Sequence, residues 1–252
     1  MQKNKVKEKL KKGELTVGVI TSLYSSALIE MLGYAGYDFI VIDDEHGAYS
    51  WSEIEELIRT SLLVDLVPIV RTNYDQSSIQ KALDRGAFGI QVPMVNTKQD
   101  AEIVVERAKY PPKGKRGTAF SMRAGGYGYK SGKEFMDIAD ENTFISVQIE
   151  TPEGVENFEE IINVPGIDMV FIGPTDLSVN MGYKNGSNNP EVQKTISELY
   201  KKSKKAGMPV GTIASSKGSI KEQINNGASF VSVVLTTVIK NALDEVNQEH
   251  LL

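Results

Sequence analysis

At 252 residues, the chain has the length of one α/β barrel domain or of two small domains. Its formal net charge of −5 argues against nucleic acid as the main partner, and the lack of cysteine excludes disulfides, thiol nucleophiles and thiolate metal sites. The sequence holds neither an apolar run of the roughly 18 residues that span a membrane nor a signal-peptide pattern. We therefore expect a cytoplasmic protein with no membrane partner and, at residues 3–12, a solvated first helix.

Apolar, β-rich runs alternate with helical patterns from residue 15 almost to the C-terminus. The predicted strands cover residues 15–20, 39–42, 66–71, 88–93, 144–149, 168–172, 209–213 and 230–234. Because these runs are apolar on both faces, they predict a parallel sheet covered by helices. Eight strand–helix units in this length predict one α/β domain, a closed (β/α)8 TIM barrel over residues 1–252; an open doubly wound sheet is the alternative.

Residues 110–140 interrupt this alternation. The segment is rich in glycine and carries Arg116 and Arg123. Its glycines fit neither the dinucleotide-binding nor the phosphate-binding motif, and no strand leads into them. Loops of this length are usually functional or disordered. We interpret the segment as a long loop over the mouth of the barrel.

Charged side chains gather where the predicted strands end. His46 follows the second strand, and the other histidine, His250, stands near the C-terminus. In a barrel, the carboxyl ends of all strands face one mouth. The groups expected to converge there are His46, Asp43, Arg71, Gln148, Glu150 and Asp176.

These residue types indicate a particular chemistry. Carboxylates without cysteine indicate a hard divalent cation such as Mg²⁺ or Mn²⁺, with Glu150 and Asp176 as candidate ligands. Such a cation polarises the carbonyl of a 2-oxo acid and stabilises its enolate. Arg71 can donate to the same oxygen, His46 can move protons, and the N–H groups of Thr175 and Asp176 can hold the substrate carboxylate.

Structural roles remain open for the same side chains. Glu150 and Asp176 can each serve only to cap the helix that follows, where a carboxylate accepts hydrogen bonds from the free N–H groups of the first turn. Arg71 can pair with a carboxylate of the barrel, and Gln148 can be an interior hydrogen-bonding residue. The pattern therefore predicts a site without fixing the role of each residue.

Five segments, in order along the chain, resemble the HpcH/HpaI class II aldolases. They are residues 39–46 (FIVIDDEH), 92–95 (VPMV), 110–117 (YPPKGKRG), 147–151 (VQIET) and 171–178 (FIGPTDLS). The resemblance implies a barrel of the phosphoenolpyruvate/pyruvate type and a divalent cation, Mg²⁺, Mn²⁺ or Co²⁺. It also implies reversible cleavage of a 4-hydroxy-2-oxo acid to pyruvate and an aldehyde.

The resemblance further implies a role for each matching residue. Glu150 and Asp176 hold the metal, and Arg71 stabilises the enolate. His46 is the acid/base and acts with Asp84. The residues that line the pyruvate site are Gln148, Gly173, Pro174 and Thr175.

Asp84 is expected to lie far from His46 within one chain. It stands near the end of the helix that follows the third strand. That helix begins at the mouth, and by Asp84 it has run about 14 Å towards the other end of the barrel. The resemblance implies a hexamer in which the last helix is exchanged between neighbours. We therefore predict that the His46–Asp84 pair forms between subunits.

The chain also departs from the family's pattern. Asp44 replaces a glycine and adds negative charge at the mouth. Thr118 and Thr212 occupy pocket positions that are apolar in related enzymes, which predicts a more polar aldehyde partner.

Two other functions are alternatives to the aldolase hypothesis. A lyase similar to the β subunit of citrate lyase would act on a coenzyme A ester through the same barrel and metal carboxylates. A non-catalytic protein that binds a 2-oxo acid is the second alternative. A Schiff-base aldolase is disfavoured, because none of the predicted strands carries a lysine.

Overall fold

Eight parallel strands close into a barrel in the computed structural model, which describes residues 3–184 and 186–250. Each strand is hydrogen bonded to the next, and the eighth pairs with the first. The strands are β1 (Thr16–Thr21), β2 (Phe39–Asp43), β3 (Val67–Arg71), β4 (Gly89–Val92), β5 (Phe144–Ile149), β6 (Met169–Ile172), β7 (Val210–Ala214) and β8 (Phe230–Val234). The predicted TIM barrel is confirmed, and the open-sheet alternative is wrong.

Helices connect the strands and cover the barrel. They are α1 (Lys5–Lys11), α2 (Ser26–Tyr34), α3 (Trp51–Leu63), α4 (Ser77–Asp84), α5 (Lys98–Ala108), α6 (Gly132–Asn142), α7 (Pro152–Glu156), α8 (Phe158–Ile162), α9 (Pro174–Asn180), α10 (Pro190–Ala206), α11 (Lys217–Asn226) and α12 (Leu235–His250). Reciprocal capping boxes at Ser50 and Thr97 begin α3 and α5. Residues 152–162 form two short helices, α7 and α8, which meet at Asn157.

Successive strand residues point alternately into the barrel and out to the helices. Inside, the rings of Phe39 and Phe230 stack with their centroids 3.8 Å apart. Gly18 makes room for this stack, because a Cβ there would lie 2.4 Å from the carbonyl oxygen of Phe39. Outside, Ile40 and Val70 pack in the cluster that joins the strands to the helices. Each fully buried aliphatic side chain stabilises the fold by about 1.5–3 kcal/mol, so the barrel is a rigid support for its mouth.

The first helix closes the amino-terminal end of the barrel. Val6 and Leu10 of α1 are buried in the interior cluster of the barrel. Lys7 Nζ lies 2.9 Å from Asp168 Oδ2 and donates to the carbonyl oxygen of Thr143. The predicted solvated helix is therefore correct only for its outer face, where Lys5 is exposed.

The predicted position of residues 110–140 over the mouth is wrong. The segment joins α5 to β5, and helix-to-strand connections lie at the amino-terminal end of a (β/α)8 barrel. It folds into a 3₁₀ helix (Arg123–Gly128) followed by α6. Arg123 Nη1 donates to the carbonyl oxygen of Arg85, directly after α4, at 2.9 Å. Segment length alone could not reveal at which end of the barrel it lies.

The last helix begins directly after β8. Leu235 is buried, whereas Val238, Leu243 and Val246 are exposed. This exposure leaves apolar surface on α12 that its own barrel does not cover. Within residues 3–184 and 186–250, no helix combines the length and apolarity needed to cross a bilayer.

Candidate active site

The strand exits bring charged side chains to one mouth. Asp43 at the end of β2 is the register partner of Arg71 at the end of β3. Glu150 directly follows β5, and Asp176 stands in the first turn of α9, behind β6. Glu150 lies near enough to Arg71, and Asp176 near enough to Glu150, for their charges to act on each other. The mouth therefore collects the strand-exit groups that the sequence singled out.

Arg71 is fixed by carboxylates on the neighbouring strand and its exit. Its Nε donates to Asp43 Oδ1 at 2.8 Å, and its Nη2 donates to Asp43 Oδ2 at 2.7 Å. Its Nη1 forms an ion pair with Glu45 Oε2 at 3.1 Å. Burial lowers the pKa of Arg71, but Asp43, Glu45 and Glu150 outweigh burial and raise it. A guanidinium has five N–H donors, so donors remain for a substrate oxygen.

The turn after β2 shapes the surroundings of His46. Asp43 Oδ1 accepts from the backbone N–H groups of Glu45 and His46, at 3.2 and 3.3 Å. The side chain of His46 is 63% exposed, and its Nε2 lies 3.9 Å from Glu45 Oε2. Asp43 therefore orients both Arg71 and the turn that presents the imidazole to solvent.

Glu150 is a buried carboxylate held at both oxygens. Its Oε1 accepts from the backbone N–H of Met94, and its Oε2 accepts from Gln148 Nε2, each at 2.7 Å. Burial raises the pKa of Glu150, and the nearby charges of Glu45 and Asp176 raise it further. A Cβ at position 173 would lie 2.8 Å from Glu150 Oε2, so Gly173 permits the next strand exit to approach the carboxylate closely.

Glu150 and Asp176 fit a divalent cation. The negative charge of each carboxylate destabilises the charge of the other, and a bound cation would relieve this repulsion. In the part of the chain that the structure describes, no group of three or more His, Cys, Asp or Glu side chains has the geometry of a metal site. The donor set therefore fits a hard cation that completes its coordination with water and substrate oxygens.

Asp84 lies at the other end of the barrel. It is the last residue of α4, and its Oδ1 accepts from Arg116 Nη2 at 2.8 Å. Arg116 lines a pocket of about 450 Å³ together with Phe88 and Thr143, which directly precede β4 and β5. In this chain, therefore, Asp84 pairs with Arg116 at the amino-terminal end, whereas His46 lies at the mouth.

The two threonines expected to line the substrate pocket do not lie at this chain's mouth. Thr212 points to the helix layer, where its hydroxyl donates to the carbonyl oxygen of Ile172 at 3.3 Å and contacts Tyr200. Thr118 is exposed within the segment at the amino-terminal end. The inference of a more polar aldehyde therefore has no support from the mouth of a single chain.

The sequence did not single out several residues that contribute hydrogen bonds at the mouth. Tyr74 donates to Glu45 Oε1 at 2.9 Å, and burial, followed by this contact, raises its pKa to about 12. Asn73 Nδ2 donates to Asp44 Oδ2 at 2.8 Å, while burial raises the pKa of Asp44. Gln91 carried a signal, as a polar residue inside an apolar strand. Tyr74 and Asn73 stand in a loop whose sequence carries no such pattern.

Comparisons with known proteins agree on one family. A family model described as HpcH/HpaI aldolase/citrate lyase matches residues 17–239. The chain is 35% identical to the hydroxypyruvate/pyruvate aldolase of Roseobacter denitrificans, over 92% of this chain and 91% of that protein. It is 34% identical to a 2-keto-3-deoxy-L-rhamnonate aldolase of Escherichia coli, over 96% and 91%. A solved structure of an HpcH/HpaI aldolase/citrate lyase family protein from Burkholderia cenocepacia matches with a TM-score of 0.94 and 28% identity, covering 99% of this chain and 100% of that chain.

The barrel, its acidic mouth and these relatives define a carbon–carbon lyase of the class II, metal-dependent aldolase type. The chain belongs to the HpcH/HpaI aldolase/citrate lyase family. The resemblance inferred from the five sequence segments is thereby confirmed.

Proposed function

We propose that the protein reversibly cleaves a 4-hydroxy-2-oxo acid to pyruvate and an aldehyde. The observation that carries this proposal is the guanidinium group of Arg71, held in place by Asp43 and lying near the buried carboxylate of Glu150 at the mouth. The 2-oxo oxygen of the substrate gains negative charge as the C3–C4 bond breaks, and a preoriented guanidinium stabilises that charge. The similarity to the Roseobacter hydroxypyruvate/pyruvate aldolase supports the choice of pyruvate.

The proposed reaction balances as follows. In the cleavage direction, the C4 hydroxyl loses a proton, the C3–C4 bond breaks, and C4 becomes the carbonyl carbon of the aldehyde. The bonding pair enters the enolate of pyruvate, which then takes a proton at C3. We assign proton transfer to His46, whose imidazole is exposed at the mouth and suits proton exchange near neutral pH.

Glu150 and Asp176 would hold Mg²⁺, Mn²⁺ or Co²⁺, which supplies polarisation of the 2-oxo group and neutralises enolate charge when bound. Gln148 uses one amide hydrogen on Glu150, and its amide group has a second hydrogen for the substrate. The turn of Gly173, Pro174 and Thr175 forms the adjacent wall, because Gly173 approaches Glu150 so closely.

The assembly in this proposal is a hexamer in which Asp84 of one subunit serves His46 of another. Its support is the position of Asp84 at the end of the barrel opposite the mouth, where a second subunit can approach. The exposed apolar side chains of α12 also support exchange of this helix between neighbours.

Mixed oligomers test the shared pair. His46→Ala and Asp84→Asn proteins are each expected to have strongly reduced activity. Co-expressed in one cell, they should regain activity in about a quarter of the sites, because random assembly joins an intact His46 to an intact Asp84 at that frequency. Steady-state assays on purified mixed oligomers, carrying two different affinity tags, measure the recovery.

The matched control co-expresses His46→Ala with Glu150→Gln. Both residues belong to the mouth of the same chain, so mixing them cannot restore a site. If mixed oligomers of His46→Ala and Asp84→Asn stay as inactive as the separate variants, the shared pair is disproved.

Exchange of the methyl protons of pyruvate in D₂O tests the proposed chemistry. We expect exchange that is lost in EDTA and returns with Mg²⁺, Mn²⁺ or Co²⁺, because enolate formation needs the cation. The loss of the methyl signal is followed by proton NMR after quenching with EDTA. Folded protein that shows no exchange with any of the three ions would contradict a pyruvate aldolase.

The structure gives less support to cleavage of a coenzyme A ester. The pocket of about 450 Å³ collects Arg59, Arg116, Arg123 and Lys130, but it lies at the amino-terminal end of the barrel. Within one chain, its cations are therefore too far from the mouth to hold the nucleotide of an ester that reacts there, and only a neighbouring subunit could bring the two together. An acyl-CoA cleavage assay distinguishes the two lyases.

A further inference from the structure

Gln91 lies inside the barrel, next to the proposed site but not at its surface. It is 1% exposed, in the middle of β4. Its register partners are Arg71 on β3 and Ser146 on β5. Nearer the amino-terminal end, the barrel interior is filled by apolar side chains such as Phe39, Phe144 and Phe230, whereas the level of Gln91 is polar.

A chain of hydrogen bonds connects Gln91 to Glu150. Gln91 Nε2 donates to Gln148 Oε1 at 2.7 Å. Gln148 Nε2 donates in turn to Glu150 Oε2, also at 2.7 Å. Both bonds are buried, so no solvent competes for these donors and acceptors.

The carboxylate determines the direction of the whole chain. An ionised carboxylate only accepts hydrogen bonds, so Gln148 must turn its NH₂ group to Glu150. Its carbonyl oxygen, Oε1, then faces Gln91 and needs a donor. Gln91 must therefore present its own NH₂ group, and the hydrogen bond between the two amides holds the side chain of Gln148 against Glu150.

This arrangement has a cost that packing alone does not justify. Gln91 Oε1 is buried, and it has no hydrogen-bond partner among the described residues. A buried polar atom without a partner costs about 1–3 kcal/mol, which an apolar side chain would avoid. What the amide provides in return is the donor that fixes Gln148.

The same strand also holds the second oxygen of Glu150. Met94, two residues beyond the end of β4, donates its backbone N–H to Glu150 Oε1 at 2.7 Å. Its φ of +54° lies in the left-handed region that residues other than glycine rarely adopt. β4 and its exit thus act on both oxygens of Glu150, directly at Oε1 and through Gln148 at Oε2.

We propose that Gln91 is a positioning residue of the active site, which acts through Gln148 to hold Glu150 in the orientation that binds the cation. The proposal rests on the proposed function, in which Glu150 is a metal ligand. Gln91 itself touches neither cation nor substrate. Partners that orient a metal ligand typically change metal affinity 10–100-fold when they are removed.

Two substitutions of Gln91 separate its donor from its volume. Gln91→Met fills a similar space without a donor, and we expect roughly tenfold weaker binding of Mn²⁺. Gln91→Glu keeps the shape but replaces the donor with an acceptor. It favours the reversed amide of Gln148, which sets two oxygens against each other, so we expect at least the same loss. Isothermal titration calorimetry of the metal-free protein with Mn²⁺ measures affinity without any assay of activity.

A double-mutant cycle shows whether Gln91 acts through Gln148. In a Gln148→Met background, Gln91→Met should weaken Mn²⁺ binding no further, because the chain is already broken. Ser232→Ala is the control: it removes a different buried polar group of the barrel interior, a hydroxyl on β8 outside this chain of hydrogen bonds, and should bind Mn²⁺ like the unaltered protein. Thermal unfolding confirms that each variant is folded.

The outcomes distinguish this proposal from the proposed function. Gln91→Met and Gln91→Glu proteins that bind Mn²⁺ as tightly as the unaltered protein would overturn the role of Gln91. An equal loss in the presence and absence of Gln148 would overturn it too, since Gln91 would then act on the fold in general. If Glu150→Gln itself leaves Mn²⁺ binding unchanged, the metal site is wrong, whatever Gln91 does.

Discussion

Glu150→Gln is expected to lower kcat/KM about 10³-fold, because a bound metal supplies several kcal/mol of charge stabilisation in the transition state. The substitution preserves the volume of the side chain and removes its charge. Mn²⁺ binding should fall below detection in calorimetry. Kinetic assays of the retro-aldol reaction and of pyruvate proton exchange should show the same loss, since both pass through the enolate.

The hydrogen bonds around Glu150 make this test sharp. A glutamine at position 150 can still accept from the N–H of Met94, while the amides of Gln148 and Gln91 turn round together. The number of hydrogen bonds is then unchanged, so the melting temperature of the metal-free protein should stay close to that of the unaltered protein. The matched control is Glu153→Gln, which removes an exposed carboxylate three residues away and should keep full activity. Full activity in Glu150→Gln would remove the basis for the proposed metal site.

Arg71→Lys is expected to reduce kcat by a factor on the order of 10²–10³, the range seen when an oxyanion donor is lost. Lysine keeps the positive charge but cannot reproduce the two parallel bonds to Asp43. The ammonium group will therefore lie closer to Asp43 or Glu45 than to the substrate oxygen. The rate of methyl-proton exchange in saturating pyruvate measures this effect on the chemical step.

The same substitution should also destabilise the fold. Asp43 and Glu45 are buried, and losing a partner costs a buried acceptor about 1–3 kcal/mol. A thermal unfolding curve of Arg71→Lys gives the fraction of protein that is folded at the assay temperature, and so separates unfolding from loss of catalysis. Arg59→Lys is the control, because Arg59 pairs with Glu55 on the outer surface of α3. An Arg71→Lys protein that exchanges pyruvate protons at the unaltered rate would contradict the assigned role.

The barrel was predictable because its signals are local. The strands at 144–149 and 230–234 were predicted with the observed bounds, since each is a continuous apolar run. Their number then specified a closed barrel, and the barrel specified that strand exits share a mouth. The convergence of Asp43, Arg71 and Glu150 follows from these steps without any knowledge of side-chain contacts.

The contacts within the mouth could not be predicted in the same way. The sequence gives no reason for Asp43 to hold Arg71 through two bonds, because this depends on the register of β2 against β3. The contribution of Tyr74 depends on the path of a loop. Residues 110–140 were misplaced because their composition was read without their position between a helix and a strand, which determines the end of the barrel.

The placement of that segment at the amino-terminal end leaves the mouth of a single barrel uncovered. The connections that border it near Arg71 and Glu150 are short, running over residues 72–76, 93–97 and 150–151. In the proposed hexamer, the amino-terminal end of a neighbouring barrel, which carries Asp84, approaches this opening. An enolate formed there is then screened from water by a neighbour rather than by the chain's own loops. Association of the subunits therefore controls how the enolate partitions between capture by an aldehyde and return of a proton.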